Sequence, residues 1–477
     1  TALIFAVHPL QTQAVAYIWQ RGTSMVAMFY LGSMTLYLLS ALEQKEGASP
    51  RRWKAWLGLS LACAVAAMFT KQLSVTLPVA IIMLDFFFIS GSFSAIKKRA
   101  PYLRLYLPLL LLAPLLTVMA DAGELRDVLT AEGKLSPFTY LITQFNVIVL
   151  YLGLFLWPTG QNVDHHIILP ETFMDYAPSL MLLLALLAFG MVMFRANRIA
   201  SFGIIFFFLA MTVESSILPM PPNDLAFEHR MYLPMAGLIL ALISLGVGAL
   251  LGFMSPTRAR TVVVAVMIAG SAPLSWATYQ RNLVWSSQTM LWQDAVAKSP
   301  GKVRPYHNLA VGLMAERKVN QALDTLMEAE KIDPDNTLTL ANIGVALNAK
   351  GDIAGAAEYY LAAIRQKPGL PHLAHRLGRA YTALAQYDNA VQYLEMAVNI
   401  TPRSILARMD LGMALAKSGN DDDAISIFNS IIEMDPSNAK ARYHLSMALR
   451  RQGAMEPAER MLEKAKELGF IEPPQKI

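Results

Sequence analysis

The sequence predicts an all-α protein in which a polytopic bundle of transmembrane helices is followed by an α-solenoid of helical repeats. Of its 477 residues, 55% are hydrophobic and only 16% are charged, and the mean hydropathy is +0.39. These values are too apolar for a soluble globular protein. After Tyr279 the composition changes and a fixed 34-residue period begins. We therefore predict a multi-pass transmembrane domain at 1–280, a half-repeat junction at 281–302, five repeats at 303–470 and a tail at 471–477.

The membrane half consists of apolar segments, and a segment of about 20 residues is long enough to cross a bilayer as a helix. The chain begins with Thr1 inside such a segment, without an initiator Met or a cleavage motif, so we expect an N-terminally truncated sequence. About ten segments are present, including the partial first one: 1–7, 22–42, 55–69, 73–89, 105–120, 138–157, 176–194, 199–218, 231–253 and 261–277.

The formal net charge of +5 belongs to the membrane half. Residues 1–300 hold 19 Lys and Arg against 14 Asp and Glu, whereas residues 301–477 hold 21 of each. The basic residues cluster in short connectors, which is typical of cytoplasmic loops. The excess therefore reflects topology and does not indicate nucleic-acid binding. The one cysteine, Cys63, can form no intrachain disulfide.

The basic connectors place 121–137 and 158–178 on the external side, although one apolar segment, Phe138–Trp157, separates them. A segment with both ends outside cannot simply cross the bilayer. We therefore expect 138–157 to be re-entrant or split, with its polar residues capping the break. Those residues are Thr143, Gln144 and Asn146.

The repeat half keeps one register through five units. Small residues at one position let the two helices of a unit touch, large residues fill the space between units, and proline stops the second helix. The small residues are Ala310, Gly344, Gly378, Gly412 and Ser446, the large ones are Leu326, Tyr360, Leu394, Phe428 and Leu462, and the prolines are Pro334, Pro368, Pro402 and Pro436. This pattern is that of tetratricopeptide repeats.

A half-unit, Trp285–Pro300, precedes the repeats in the same register, so the solenoid is predicted to begin directly after the last membrane helix. Such a stack presents a concave face that commonly holds an extended peptide. Arg376, Arg379 and Arg408 are either peptide contacts or solvated helix surface.

A polar island, Pro219–Pro234, lies between two apolar segments of spanning length. It contains Asp224, Glu228, His229, Arg230 and Tyr232, which are therefore expected at a membrane surface. Charge in that position is functional or serves as an interfacial anchor.

Several other polar residues of the membrane half have two interpretations. Lys71, on the predicted external side, and Arg21 are either anion contacts or side chains that snorkel from a helix end. Asp164, His165 and His166 suggest a divalent metal site, but adjacent histidines do not share one face, so a polar acceptor loop is favoured. Asp85 is expected to cap its helix or to pair with Lys97 or Lys98. Glu214 lies within a spanning segment and is expected to support Arg230.

Four stretches together resemble the transmembrane-and-tetratricopeptide-repeat O-mannosyltransferases, membrane glycosyltransferases of the GT-C class, and their bacterial relatives. The stretches are His8-Pro9 with QTQAVAYIWQR, the hairpin containing TKQLSVTLPVAIIMLD, WPTGQNVDHH from Trp157, and EHRMYLP from Glu228. With the repeats, the resemblance covers nearly the whole chain. The chain departs from it at Gln13, where relatives are expected to carry Glu.

The resemblance implies a polyprenyl-phosphate-linked sugar as donor, an acceptor protein or peptide presented by the repeats, and no certain cofactor. It also implies an acidic catalytic residue in a loop that would precede Thr1, so no catalytic residue is nominated. Because Arg offers bidentate geometry to phosphate oxygens, Arg230 is the first candidate for the donor phosphate, with Tyr232 and Lys71. Supporting residues are Glu228, which would hold the Arg230 guanidinium, and His229, Arg21, Asp164 and His165.

Two functions compete at this point. One is a glycosyltransferase in the inner membrane of a bacterium, with the repeats on the non-cytoplasmic side. The other is a non-enzymatic membrane scaffold whose repeats recruit partners for envelope assembly or secretion. A transporter is disfavoured because the membrane half shows no internal repeat and few intramembrane charges.

Overall fold

The computed structural model describes residues 1–112, 115, 135–213, 215 and 225–471. They form two compact units, Thr1–Ser299 and Pro300–Ile477. Glu214 and Asp224, singled out by the sequence, lie outside the described residues, as does most of the predicted loop 121–137. Within the described residues every regular element is a helix, which confirms the predicted fold class.

The first unit contains twelve described α-helices. They are α1 (Ala2–Val7), α2 (Thr12–Ala16), α3 (Arg21–Lys45), α4 (Pro50–Met68), α5 (Leu77–Asp85), α6 (Phe93–Leu103), α7 (Pro137–Leu156), α8 (Ala177–Ala196), α9 (Arg198–Met211), α10 (Pro234–Leu251), α11 (Pro256–Val284) and α12 (Gln288–Lys298).

Six helical segments of the described chain are long and apolar enough to cross a membrane. Five are α3, α7, α8, α10 and α11, and the sixth is the continuous stretch Gln72–Ser90 that includes α5. The chain is therefore a membrane protein, because several helices of this length and hydropathy are typical of segments that cross a bilayer.

The segment predicted to be re-entrant or split is one continuous helix, α7, so the predicted break is wrong. Its polar residues do not cap a break. Thr143 Oγ1 donates to Thr139 O one turn earlier, Gln144 Nε2 donates to Leu225 O at 3.2 Å, and Asn146 Nδ2 donates to Asp175 O at 2.9 Å. They bond within the helix or to neighbouring loops, which leaves the helical ladder intact.

The predicted partner of Asp85 is also wrong. The carboxylate, which is fully buried, receives hydrogen bonds from Arg99 Nε and Tyr37 OH, each at 2.5 Å, and one from Ser90 Oγ. Lys97 and Lys98 are exposed. Successive residues of a helix point about 100° apart, so only Arg99 of the three faces the bundle.

Helices α9 and α10 approach closely at a pair of glycines. A Cβ atom on Gly203 would lie 2.3 Å from the carbonyl oxygen of Gly237, and one on Gly237 would lie 2.4 Å from that of Gly203. Small residues commonly allow such backbone contact between membrane helices.

An apolar core in the first unit joins the N-terminal segment to α7 and α10. Its fully buried members include Leu10, Val147, Tyr151, Met231 and Met235. Because Met231 belongs to this core, the polar residues just before it are fixed in position at the start of α10.

The second unit contains ten described α-helices in five consecutive pairs. They are α13 (Val303–Ala315), α14 (Val319–Ile332), α15 (Thr337–Lys350), α16 (Ile353–Gln366), α17 (Pro371–Ala383), α18 (Tyr387–Ile400), α19 (Ile405–Ser418), α20 (Asp421–Met434), α21 (Ala439–Arg451) and α22 (Met455–Glu467).

The 34-residue pattern explains the packing of these pairs. A Cβ atom on Gly344 would lie 2.6 Å from the Tyr360 ring, and one on Gly412 would lie 2.6 Å from the Phe428 ring. The small residue of the first helix thus accommodates the large residue of the second. The second helices of the first four pairs each end two residues before the periodic proline.

Candidate functional site

The residues Glu228–Met231 form a short 3-10 turn that leads into the spanning helix α10. The side chains of Glu228, His229 and Arg230 are all buried, with 1%, 4% and 4% exposure. Three adjacent ionisable residues are buried only where hydrogen bonds and opposite charges compensate the loss of water. The contacts of this turn therefore define the candidate site.

Glu228 is bonded to the loop that follows α7. Its Oε1 accepts from the backbone N–H of Asn162 at 2.6 Å and from His165 Nε2 at 2.9 Å. The carboxylate thus connects the turn to the loop 157–176. The predicted role of Glu228 in holding the Arg230 guanidinium stays a prediction.

Arg230 is held by the residues just before the turn. Its Nη1 donates to the carbonyl of Leu225 at 3.2 Å, and its guanidinium carbon lies 5.5 Å from the centre of the Phe227 ring. The Phe227 backbone N–H in turn donates to Tyr151 OH on α7 at 2.6 Å. The position of the cation is therefore set by the backbone of 225–227 and by an aromatic face.

The N-terminal link packs against the same turn. Gln13 Oε1 accepts from the His229 backbone N–H at 2.8 Å. His8 Nδ1 accepts from Leu10 N, so its Nε2 carries the proton and donates to Phe155 O at 3.0 Å. Burial lowers the pKa of His8, and its bond to Phe155 opposes that effect in part. His8 is therefore a neutral structural donor at physiological pH.

The loop is also bonded to the end of α12. Asn162 Nδ2 donates to Ser299 Oγ at 2.8 Å, and Ser299 Oγ donates to Asp164 O at 2.8 Å. Lys298 Nζ donates to Gln161 O, also at 2.8 Å. We call this arrangement of Gln161–His165, Glu228, Lys298 and Ser299 the polar junction. It fixes the loop on two sides, through Glu228 and through Ser299.

The structure brings several predicted site residues together. Glu228, His229, Arg230, Asp164 and His165 lie in or beside the polar junction. Tyr232 follows on the turn, half-buried, with its ring 5.2 Å from that of Phe5.

Lys71 lies in the link between α4 and α5 and contacts the start of α3, where Arg21 is the first residue. Lys71 Nζ donates to Thr23 Oγ1 at 3.0 Å, and Arg21 is exposed. In the described residues no three His, Cys, Asp or Glu side chains come together as a metal-binding group.

Sequence reasoning missed Asn162, Gln161 and Ser299, and it treated Gln13 only as a departure from the expected Glu. Asn162 and Gln161 belong to the WPTGQNVDHH stretch, so their polar character close to Asp164 was an available signal. Nothing in the sequence near Ser299 indicates that it bonds to a residue 137 positions away.

A groove of about 490 Å³ lies in the same unit, between α1, α7, α10 and α11. Its walls are almost entirely apolar. The lining residues are Ile4, Phe155, Ile239, Leu242, Ile243, Gly246, Ala249, Leu250, Val263, Val266 and Met267. The groove follows α10, the helix that begins directly after the turn carrying Arg230.

Comparison with known families confirms the repeats. Residues 307–371, 375–439 and 415–469 match family models described as tetratricopeptide repeat. Among solved structures, YrrB, titled a TPR protein with an unusual peptide-binding site, is 27% identical with a TM-score of 0.36 and covers 37% of this chain and 92% of its own. MamA from Desulfovibrio magneticus RS-1 is 23% identical with a TM-score of 0.34 and covers 35% and 94%.

Curated relatives extend the likeness to the membrane unit. Protein O-mannosyl-transferase Tmtc3 of Drosophila melanogaster is 24% identical in an alignment of 421 residues that covers 75% of this chain and 43% of that protein. Protein O-mannosyl-transferase TMTC1 of Homo sapiens is 24% identical in an alignment of 391 residues that covers 72% of this chain and 43% of that protein. The chain therefore spans less than half the length of these relatives.

Proposed function

The chain is similar in sequence to the transmembrane-and-tetratricopeptide-repeat O-mannosyltransferases, and from this likeness we propose that it is a membrane glycosyltransferase. It moves a sugar of mannose type from a polyprenyl-phosphate donor to Ser or Thr of exported proteins, which the repeats present. The observation that carries the proposal is the buried Arg230, held in the turn that begins the spanning-length helix α10, whose later turns line an apolar groove.

Arg230 suits the donor phosphate for a physical reason. When the glycosidic bond to the phosphate breaks, negative charge develops on the leaving phosphate. A guanidinium presents N–H donors in a fixed fork that matches phosphate oxygens, and its attraction is stronger in a buried, low-dielectric place. Because Arg230 is positioned by Leu225 and Phe227, little reorganisation is needed when the charge develops. Tyr232, two residues on, supplies a hydroxyl donor in this proposal.

The apolar groove supports a lipid-linked donor. The groove is lined along α10 from Ile239 to Leu250, and Ile4 of α1 and Phe155 of α7 also line it. A phosphate beside Arg230 would leave its polyprenyl chain to run along α10, where an apolar groove accommodates it by van der Waals packing, since the chain already lies in bilayer hydrocarbon. Lys71 stays a candidate for a second phosphate contact, and Arg21, His229, Asp164 and His165 stay supporting candidates.

The test is Arg230→Gln in the full-length protein, reconstituted with polyprenyl-phosphate mannose and an acceptor peptide. Removal of one transition-state donor should lower transfer by about a hundredfold or more, with unchanged membrane insertion. The control is Arg258→Gln, because Arg258 is also an arginine near the start of a spanning helix but is exposed. Equal transfer by Arg230→Gln and Arg258→Gln would remove Arg230 from the site.

A non-enzymatic scaffold is the second candidate, and the five repeats are the observation that favours it. A scaffold would bind acceptor peptides without any transfer, even with lipid-linked mannose present.

We place the repeats on the non-cytoplasmic side of a bacterial inner membrane, opposite the basic connectors. Protease added to intact spheroplasts should therefore cleave the repeats, and full protection would contradict that orientation.

A further inference from the structure

Seven exposed basic side chains gather at one end of the membrane unit, away from the candidate site in sequence. They come from the end of α3, the start of α4, and α6 with the turn after it. We call them the basic surface: Lys45, Arg51, Arg52, Lys54, Lys97, Lys98 and Arg104. The stretches 43–54 and 93–104 contain two carboxylates, Glu43 and Glu46, and Glu43 is paired with Arg52 at 2.8 Å. A strong positive excess therefore stays on this surface.

Specific contacts bring the three segments together. The Trp53 ring on α4 meets the Tyr102 ring on α6 edge to face, with centroids 5.5 Å apart. Ser40 Oγ on α3 donates to Trp53 O at 2.8 Å. Arg99 Nη1 on α6 donates to Gln44 Oε1 on α3 at 2.8 Å. The basic residues next to these contacts thus belong to one fixed surface rather than to three independent loops.

Arg99 holds α6 against the bundle without adding to the exposed charge. Its guanidinium pairs with the buried Asp85 and lies over the Tyr37 and Tyr102 rings, at 5.8 Å and 5.7 Å. Its positive charge is therefore compensated inside. The neighbouring residues Lys97 and Lys98 point outward.

The composition of this surface matches a membrane interface. α6 buries Leu103 and exposes lysines, and Phe93 at its start is 77% exposed. A helix that combines exposed basic residues with an exposed aromatic side chain is typical of helices lying at the headgroup region, and Trp and Tyr are enriched there. Seven like charges repel one another, and an anionic surface relieves that repulsion.

We propose that the basic surface is a binding site for the headgroups of anionic phospholipids in the leaflet that it faces. The phosphodiester groups lie between Lys97 and Lys98 of α6, Arg104 in the turn after it, and the basic start of α4. The surface is at the ends of the spanning segments Arg21–Lys45 and Gln72–Ser90, so lipid headgroups are within its reach. This inference does not depend on the proposed glycosyltransferase activity.

The experiment uses the purified full chain in detergent, to which phosphatidylglycerol or phosphatidylcholine is added, with native mass spectrometry as the readout of bound lipid. We expect phosphatidylglycerol to bind preferentially. The variant K97Q/K98Q/R104Q should weaken its binding by about a hundredfold, because each basic residue contributes roughly fivefold. The matched control, R195Q/R258Q/R260Q, removes three exposed charges from other connectors and should keep most of the binding.

A replacement variant and a soluble competitor distinguish lipid binding from the alternatives. If K97Q/K98Q/R104Q does not fold, R51Q/K54Q at the exposed start of α4 replaces it, with an expected loss of about 25-fold. Glycerol 3-phosphate as a competitor tests the free phosphate as an alternative source, and displacement of lipid at equal concentration would overturn the lipid proposal. Equal binding of both lipids, or equal losses in variant and control, would also overturn it.

Discussion

Replacing Asn162 with Ala should destabilise the membrane unit, because Asn162 makes two side-chain hydrogen bonds inside the polar junction. Its Nδ2 donates to Ser299 Oγ at 2.8 Å and its Oδ1 accepts from the Asp164 backbone N–H at 3.1 Å. Asn162, Asp164 and Ser299 are buried. Alanine keeps the backbone bond from Asn162 N to Glu228, so only the side-chain contribution is removed.

The size of the effect follows from what each partner loses. The Asp164 N–H is left without its acceptor in a buried place, and Ser299 loses a bond but still donates to Asp164 O. A buried unsatisfied group costs about 1–3 kcal/mol and a lost bond about 1 kcal/mol, so the total is about 2–4 kcal/mol. In a unit of this size that lowers the unfolding temperature by roughly 5–10 °C.

The assay is thermal unfolding of the purified protein followed by tryptophan fluorescence, with Asn146→Ala as the control. Asn146 Nδ2 also donates to a loop carbonyl, Asp175 O at 2.9 Å, but that bond is exposed. Its loss should change stability by no more than about 0.5 kcal/mol. Equal shifts for Asn162→Ala and Asn146→Ala would refute the reasoning that burial of the junction determines the cost.

Two other substitutions test other parts of the chain. Gly203→Ala should push α9 away from α10 and lower the free energy of unfolding by about 1–3 kcal/mol, because the new Cβ would lie 2.3 Å from Gly237 O. The control is Gly246→Ala on the open side of α10, which should be nearly neutral. Comparable unfolding temperatures would contradict this packing. In the repeat unit, burial lowers the pKa of His307 to about 4, below its ordinary value of 6.5. As the pH falls, the unfolded chain therefore binds a proton at His307 before the folded chain does. The free energy of unfolding is highest above pH 6.5, where His307 is neutral in both states. It decreases by up to about 3 kcal/mol as the pH falls from about 6.5 to 4. The His307→Gln variant should lose this part of the pH dependence, and parallel curves of unfolding temperature against pH would contradict it.

Most of the correct sequence predictions depended on the 34-residue repeat interval or on the length of apolar segments. The 34-residue spacing predicted that Gly344 lets the two helices of its unit touch, and a Cβ there would lie 2.6 Å from the Tyr360 ring of the second helix. Tyr360 was predicted to fill the space between units, whereas this contact lies within one unit. Long apolar segments predicted membrane helices, since bilayer thickness sets their length. Such features depend on residues a few positions apart or on a repeated interval.

The wrong or missing predictions concern partners that are distant in sequence. Polar residues of α7 were interpreted as a break, whereas Gln144 bonds to Leu225, 81 positions away. Ser299 bonds to Asn162 across 137 positions. The predicted partners of Asp85, Lys97 and Lys98, lie one or two residues before the observed partner, Arg99. The rotation of α6 about its axis decides which of these residues faces inward, and the sequence alone did not determine that rotation. The roles of Arg230, Tyr232 and Lys71 stay predictions.

The polar junction also affects which parts of the membrane unit can change without loss of the fold. Loops ordinarily accept insertions and substitutions, and their amide protons exchange quickly with solvent. The stretch 161–164 has no regular secondary structure, yet its side chains are buried and the Asn162 amide is bonded to a buried carboxylate. Its amides should exchange as slowly as those of a core helix, and insertions should be accommodated instead beyond it, around the exposed Ile168 and Leu169.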